Sequence, residues 1–456
     1  METTFQSINP VTQVLLRTYQ PEDQTAIMEK VEKAATRFKT WRKVALEEGR
    51  VLFLKMADLL RKTQRENASL ITEEMGKPIR QAWAEVEKCA WLCEYYAQNA
   101  TTFLSPQVVK REDALNKVIY QALGVILEIM PWNFPFWQVF RCAVPAILAG
   151  NTVLLKHAPN VSTCALRIQE IFEQVGFEQG VFQCILAQVN QIPSIVAHEA
   201  VQGVALTGSL GAGKVVGALA GQNIKKCILE LGGSDPIVIL EDADLKKASK
   251  AAVQSKMYNS GQTCIAAKRF IVQKSIAKEF LSLVKAEIAR LHIGDPMDLR
   301  TDLSAMARPD LVEQLQSQLE DSVKMGATTV LEGGRAGSSN YFEPVILSNL
   351  SKGMPAYDDE LFGPLIAFFE VDSIQEAIHL ANDSNFGLGA SVWTSDSQKA
   401  EKLALEIETG NLAINQILRS DPRMPFGGIK QSGFGRELGR EGILTFVNIK
   451  SIFQST

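Results

Sequence analysis

No uninterrupted apolar run approaches the ~18 to 20 residues a membrane-spanning helix needs; the best stretches, GVILEIM and AVPAILAG, stop at Pro131 and Asn151. A soluble protein is expected. There is no excess of basic charge either: 47 Lys and Arg stand against 51 Asp and Glu, a net charge of −4, which argues against nucleic acid or an anionic membrane as the main partner. The start, METTFQSINPVTQ, lacks the basic and then apolar build of a signal peptide, so a cytoplasmic location is expected. The seven cysteines are odd in number and irregularly spaced, which suits a reducing compartment better than a disulfide framework. Cys89 and Cys93 lie one turn apart on an expected helix without a nearby histidine or further Cys pair, so they read as core residues and no metal site is expected. No internal repeat or low-complexity segment stands out.

What is present is length and rhythm. A chain of 456 residues exceeds one ordinary core, so two domains are expected. Residues from about 22 to 97 carry apolar positions at helical spacing, as in QTAIMEKVEKAATRFKTW and QAWAEVEKCAWLCEYYA. From about 124 to 240, short β-rich runs such as GVILEIM, TVLLK, GVALTG and IVIL alternate with helical segments, the signature of βαβ units and a parallel sheet. A second alternation from about 244 to 415 includes RFIVQK, LIAFFEV and ASVWTSD. Between the helical start and the first sheet, TTFLSPQVVKREDALNKVIYQAL alternates apolar and polar residues as a protruding arm would, and the end, FVNIKSIFQST, is strand-like.

The segment VALTGSLGAGKVVGALAG contains GSLGAGKV, one letter short of the phosphate-cradling pattern GxxxxGK[ST]. Position 215 is Val, which cannot hold magnesium, so the pattern argues weakly for triphosphate hydrolysis. The loop still follows an expected strand and opens an expected helix, a place where free N–H groups favour an anion such as a dinucleotide pyrophosphate. The plainer alternative is that Gly208 and Gly213 only permit a tight turn.

YNSGQTCIAAKRF places Cys264 in a small, polar, glycine-bearing turn, where backbone N–H groups and access stand close to the sulfur and suit a reactive thiol. An inert packing cysteine is the alternative. In CILELGGSDPIVIL, Glu230 ends an apolar run, and desolvation there would raise its pKa toward the range of a general base, unless it reaches solvent. In PWNFPFWQVFR, Asn133 is held between Trp132 and Phe134 before Pro135, and an amide N–H fixed in this way can stabilise an oxyanion.

These segments and their order resemble the aldehyde dehydrogenase superfamily across nearly the whole chain: INPVT, EEMGKPIRQA, PWNFP, AGNTVLLK, LTGSLGAG, LELGGSDP, GQTC, ELFGPL, NDSNFGLGASVWTSD and PFGGIKQSGFGRELG. The separation of 34 residues between Glu230 and Cys264 agrees with that family. The resemblance implies an α/β fold with two parallel-sheet domains. A Rossmann-like dinucleotide-binding domain would take residues 1–103 and 123–232, a catalytic domain 233–431, and an oligomerisation arm 104–122 with 442–456. It implies that Cys264 is the nucleophile, that Asn133 with the Cys264 N–H forms the oxyanion hole, and that Glu230 activates the deacylating water. The chemistry expected is thiolate addition to an aldehyde, hydride loss from the thiohemiacetal to a nicotinamide, and hydrolysis of the thioester. Nearby N–H groups and the cofactor are expected to favour the thiolate. For the cofactor, NAD or NADP, the resemblance assigns Lys156 to the adenosine ribose, Ser209 to the pyrophosphate, and Glu360 and Phe362 to the nicotinamide ribose and ring. Trp132, Pro159, Gly208, Gly213 and Leu231 complete that set.

Within the family the chain looks most like bacterial succinate-semialdehyde dehydrogenases. Arg141, eight residues after Asn133, matches the arginine that such members aim at the substrate's far carboxylate, and Ser420 matches a second carboxylate contact, with Trp137 beside them. Where some members carry a further arginine this chain has Tyr258, which leaves glutarate semialdehyde or uncharged aldehydes open as substrates. Ala266 removes the cysteine pair of some relatives, and Pro159 stands where NAD-selective members often keep a Glu, so the cofactor preference stays undecided. A coenzyme A-acylating enzyme is the runner-up, against which Glu230 argues; a non-catalytic relative is a third reading, against which the intact trio argues. A homodimer or homotetramer is implied.

Overall fold

The computed structural model describes residues 4–111 and 114–455. Residues 112–113 of the expected arm, with 1–3 and 456 of the expected terminal units, lie outside the described residues. After a short hairpin, four helices follow: Gln24–Trp41, Leu46–Lys62, Gln64–Met75 and Ile79–Phe103. Their apolar stripes pack into one core with Cys89 and Cys93 fully buried inside it.

The first sheet has six strands in the order Gly433–Phe434, Lys226–Glu230, Val201–Thr207, Val125–Met130, Thr152–His157 and Phe182–Cys184. All neighbours are parallel except Gly433–Phe434. Helices cover both faces, so the strands read as continuous apolar runs, and Thr152–His157 is buried at every position. The chain first steps outward from Val125–Met130 and then returns to its other side at Val201–Thr207, which opens a crevice at the carboxyl ends of these strands. PWNFP leaves one of those ends and GSLGAGKV the other.

The second sheet has seven strands, in the order Thr328–Leu331, Val345–Ser348, Leu365–Val371, Ala267–Gln273, Asp235–Ile239, Gly389–Trp393 and Asn411–Ile414. Only Thr328–Leu331 runs antiparallel to its neighbour. The fold is therefore α/β with two predominantly parallel sheets. A separate antiparallel sheet joins Gln107–Arg111, Ala114–Ala122 and the final strand Val447–Ile452. Among the described residues no helix is long and apolar enough to cross a membrane, and no group of His, Cys, Asp or Glu could hold a metal ion.

Candidate active site

The turn before Cys264 is built against local preference. Asn259 and Ser260 are in the left-handed region at φ 54° and 53°, and Gly261 follows at φ 75°. Left-handed residues with a Cβ cost ~1 to 2 kcal/mol each, so outside contacts must hold them. The Asn259 N–H donates to Gln81 Oε1 at 2.7 Å and its side-chain amide donates to the Asn133 carbonyl at 2.9 Å. Ser260 Oγ donates to the Ser304 carbonyl at 2.8 Å and accepts from the Ser304 N–H at 3.1 Å. Gly261 has no alternative residue, because a Cβ there would lie 2.3 Å from the backbone of Gly363.

Lys268 sits beneath the cysteine loop and donates to the carbonyls of Thr263 at 3.0 Å and Cys264 at 2.5 Å. The protein's own cations do not by themselves offset the burial of the thiol. Burial pushes it up to about 12, against the pull of the Lys268 and Arg141 cations.

Glu230 ends the strand Lys226–Glu230, is 3% exposed, and among the described residues has no hydrogen-bond partner for either carboxylate oxygen. It does not reach solvent. Burial pushes its carboxyl well above the ordinary range, Glu437 adds to this, and Arg141 and Arg436 oppose it. Arg141 also acts on Cys264, so the charge of one buried guanidinium reaches both residues.

The position of Arg141 sharpens the sequence expectation. Its Nε pairs with the buried Glu437, its Nη2 reaches Thr207 Oγ1 at 3.4 Å, and its guanidinium lies 4.9 Å over the Phe426 ring. The charge expected to face a substrate carboxylate is thus already paired inside the protein. Glu437 had no signal in the sequence beyond its place in GRELG.

Asn133 is buried and donates one amide N–H to the Gln262 carbonyl at 3.0 Å, which ties it to the cysteine loop and leaves its second N–H available. The loop around it is clamped from two sides. Lys77 pairs with Glu85, donates to the Asn133 carbonyl at 2.8 Å and lies 3.7 Å over the Phe134 ring. Glu85 Oε1 accepts the N–H groups of Phe136 and Trp137 at 2.9 and 3.0 Å, capping the buried helix Trp137–Leu148. His157 Nε2 bonds the Pro135 carbonyl at 2.9 Å, and burial holds this imidazole down to about 4, so it stays neutral. EEMGKPIRQAWAE, which reads as an ordinary amphipathic helix, supplies this clamp.

Lys156 and Ser209, two of the residues expected to hold a cofactor, lie at or just past the ends of strands that border the crevice. Lys156, at the end of Thr152–His157, is 8% exposed and forms no hydrogen bond or ion pair among the described residues. Burial lowers its pKa. An unpaired ammonium of this kind fits ribose hydroxyls or a phosphate. Ser209 caps the helix Leu210–Gln222 by accepting from the Ala212 N–H at 3.3 Å. A Cβ added at Gly208 would meet nothing closer than 3.9 Å, whereas one on Gly213 would strike the Leu231 side chain at 2.5 Å. Gly213 therefore serves close packing of helix on strand, and Lys214 is exposed. Pro159 opens the short 3-10 turn Pro159–Val161 next to Lys156. Glu360 accepts from the Gly233 N–H at 3.0 Å and from Lys268 at 3.2 Å, and the Phe362 ring meets Trp132 edge-on at 5.9 Å.

On the opposite side, Trp137 and Ser420 are brought together by a residue the sequence reading passed over. Lys88 Nζ donates to Ser420 Oγ at 2.7 Å and lies 4.1 Å over the Trp137 ring. Tyr258 stacks on Phe134 with ring centroids 6.1 Å apart.

Comparison with known proteins places this geometry. The model of the aldehyde dehydrogenase family matches residues 1–452. The chain is 46% identical to a probable succinate-semialdehyde dehydrogenase (NADP(+)) of Synechocystis sp. over 98% of its own length and 99% of the relative's. It is 43% identical to the succinate semialdehyde dehydrogenase (NAD(P)+) of Escherichia coli, over 98% and 97% of the two chains. It superposes with a TM-score of 0.97 on the succinic semialdehyde dehydrogenase of Streptococcus pyogenes solved with NADP+ as the cofactor, at 36% identity and over 99% and 100% of the chains.

Proposed function

This chain belongs to the aldehyde dehydrogenase family, and from that premise we propose that it oxidises succinate semialdehyde to succinate with NAD or NADP. The observation that supports the reading is the buried cation Arg141, whose charge acts on both the unpartnered Glu230 and Cys264, with the Asn133 amide tied to the cysteine loop at Gln262. The names of the relatives support the substrate, and the NADP+-bound neighbour supports NADP as a partner.

When bound, the nicotinamide supplies a hydride acceptor. The protein's own residues do the rest. The Cys264 thiol gives up its proton to solvent, its Sγ adds to the aldehyde carbon, and the free Asn133 N–H with the Cys264 backbone N–H holds the oxygen that gains charge. Lys268 fixes the backbone under the sulfur, so the attacking atom is positioned before substrate arrives. Glu230, once deprotonated, draws a proton from the water that cleaves the thioester. The unpaired Lys156, the capped N-terminus at Ser209, and the Glu360 carboxylate fit the ribose and pyrophosphate of a dinucleotide. Cytoplasmic location is proposed from the seven free cysteines, and dimeric or tetrameric assembly from the antiparallel arm, whose Val108, Val109 and Ile449 are exposed.

Steady-state rates with succinate semialdehyde and with butanal, which has the same carbon skeleton without the carboxylate, test the reading in NAD and in NADP. A preference of about 100-fold in kcat/KM for the semialdehyde is expected from a charge-assisted carboxylate contact, with no dependence on coenzyme A. Equal efficiency on butanal defeats the substrate assignment, and a coenzyme A requirement defeats hydrolysis.

A further inference from the structure

Lys88 lies on the helix Ile79–Phe103, half-buried, with its ammonium on the face of Trp137 and a single hydrogen bond, to Ser420. An ammonium has three donors, so two remain unused. No carboxylate lies within ion-pair distance of it among the described residues. The two acids nearest in effect are committed elsewhere. Glu85 holds Lys77 and caps the helix Trp137–Leu148, while Asp421 is gripped by the Arg423 guanidinium at 2.6 and 2.9 Å. Arg141, also cationic, faces Lys88 from the neighbouring helix and pushes against its charge. Two cations with one internal counter-ion, Glu437, which pairs with Arg141, leave Lys88 uncompensated beside an aromatic face. A desolvated cation without an anion is costly, and the cost is removed when a ligand brings the anion.

We infer that Lys88 is a specificity-determining residue, and that its ammonium with Ser420 Oγ receives the carboxylate of the acid aldehyde while Arg141, locked on Glu437, stays behind as a fixed positive background. The inference rests on the succinate-semialdehyde reading above and adds the group that makes the direct charged contact. Trp137 shields the pair from water on one side, which strengthens it. Burial and the Arg141 cation push the Lys88 ammonium down to about 7, with Cys89, Glu85 and Asp421 pulling the other way. A lysine with a lowered pKa is protonated below that value and loses its charge above it, so preference for a carboxylate fades as pH rises through 7.

The experiment measures kcat/KM for succinate semialdehyde and butanal between pH 6 and 8.5 in wild type, K88M and K88R. Dividing one by the other cancels the ionisation of Cys264 and Glu230, which both substrates share. K88M lowers the ratio at pH 6.5 about thirtyfold, mainly through KM of the semialdehyde, as for a lost charge-assisted bond. K88R restores most of the ratio and flattens its pH dependence, because a guanidinium does not titrate there. The inference is overturned if K88M keeps the wild-type ratio, or if K88R keeps the wild-type bend near pH 7, which would assign the bend to another group. A wild-type enzyme with no preference for the semialdehyde overturns instead the substrate reading on which the inference rests.

Discussion

The glycine loop after the strand Val201–Thr207 and the cysteine loop before the strand Ala267–Gln273 differ in how much of their shape the neighbouring residues dictate. In the first, Ser209 caps a helix in the ordinary way, Gly208 has open space around it, and the N–H groups face outward because every helix begins so. In the second, three consecutive left-handed residues are held by Gln81, Asn133 and Ser304, none of them a near neighbour in the chain. A diffuse anion is served by generic geometry. A sulfur that must meet one carbon atom is placed by a strained turn that the rest of the molecule over-determines.

The largest effect that tests this contrast comes from adding one carbon to each loop. Gly261→Ala places a Cβ 2.3 Å from the Gly363 backbone at a φ of 75°, and is expected to lower unfolding stability by about 3 kcal/mol or more and abolish turnover. Gly208→Ala, with its nearest neighbour at 3.9 Å, is expected to cost under ~0.5 kcal/mol in the same urea unfolding experiment. Similar losses in the two variants would erase the distinction between the loops.

An intermediate effect separates the two chemical roles of the cysteine side. Glu230→Gln is expected to lower kcat by ~10² to 10⁴ while keeping a burst of reduced nicotinamide in rapid mixing, since only deacylation needs the base. Loss of the burst along with kcat would move Glu230 to the first half of the reaction. The smallest effect belongs to the residue that makes GSLGAGKV look like a triphosphate loop. Lys214→Met is expected to leave cofactor affinity within about twofold by fluorescence titration, because an exposed helix lysine contributes little. A tenfold loss would show that the glycine loop is less generic than its capping suggests.

Much of this was legible before any coordinates, and for identifiable reasons. The alternation of apolar runs marks parallel strands because both faces of each sheet are covered, and the polar flanks of Cys264 mark a turn. Residues whose meaning depends on distant partners were harder. Arg141 reads as a cation aimed at substrate until Glu437 closes on it. Lys88 reads as one more polar position on an amphipathic helix, since nothing in EVEKCAW announces that Ser420 and Trp137 will meet it. Gly213 reads as a turn residue, yet it is required by Leu231, which arrives from the next strand. Local patterns carry period and capping, whereas the pairing of charges across hundreds of residues is a tertiary matter.

The pairing of the middle of the chain with its end has a consequence for the order in which the molecule can be finished during synthesis. Asn151 donates to the Phe446 carbonyl across 295 residues, Lys88 reaches Ser420 across 332, and Tyr96 bonds the Gly439 carbonyl across 343. At the ~5 to 20 residues per second of a ribosome, these residues wait roughly 15 to 70 s for their partners. During that interval the buried cation of Arg141 has no Glu437, and the edge strand Lys226–Glu230 has no Gly433–Phe434 to cover it. A chain stopped short of its last forty or so residues would therefore keep Asn133, Glu230 and Cys264 but lack the counter-charge of Glu437, the covering strand Gly433–Phe434 and Ser420 together.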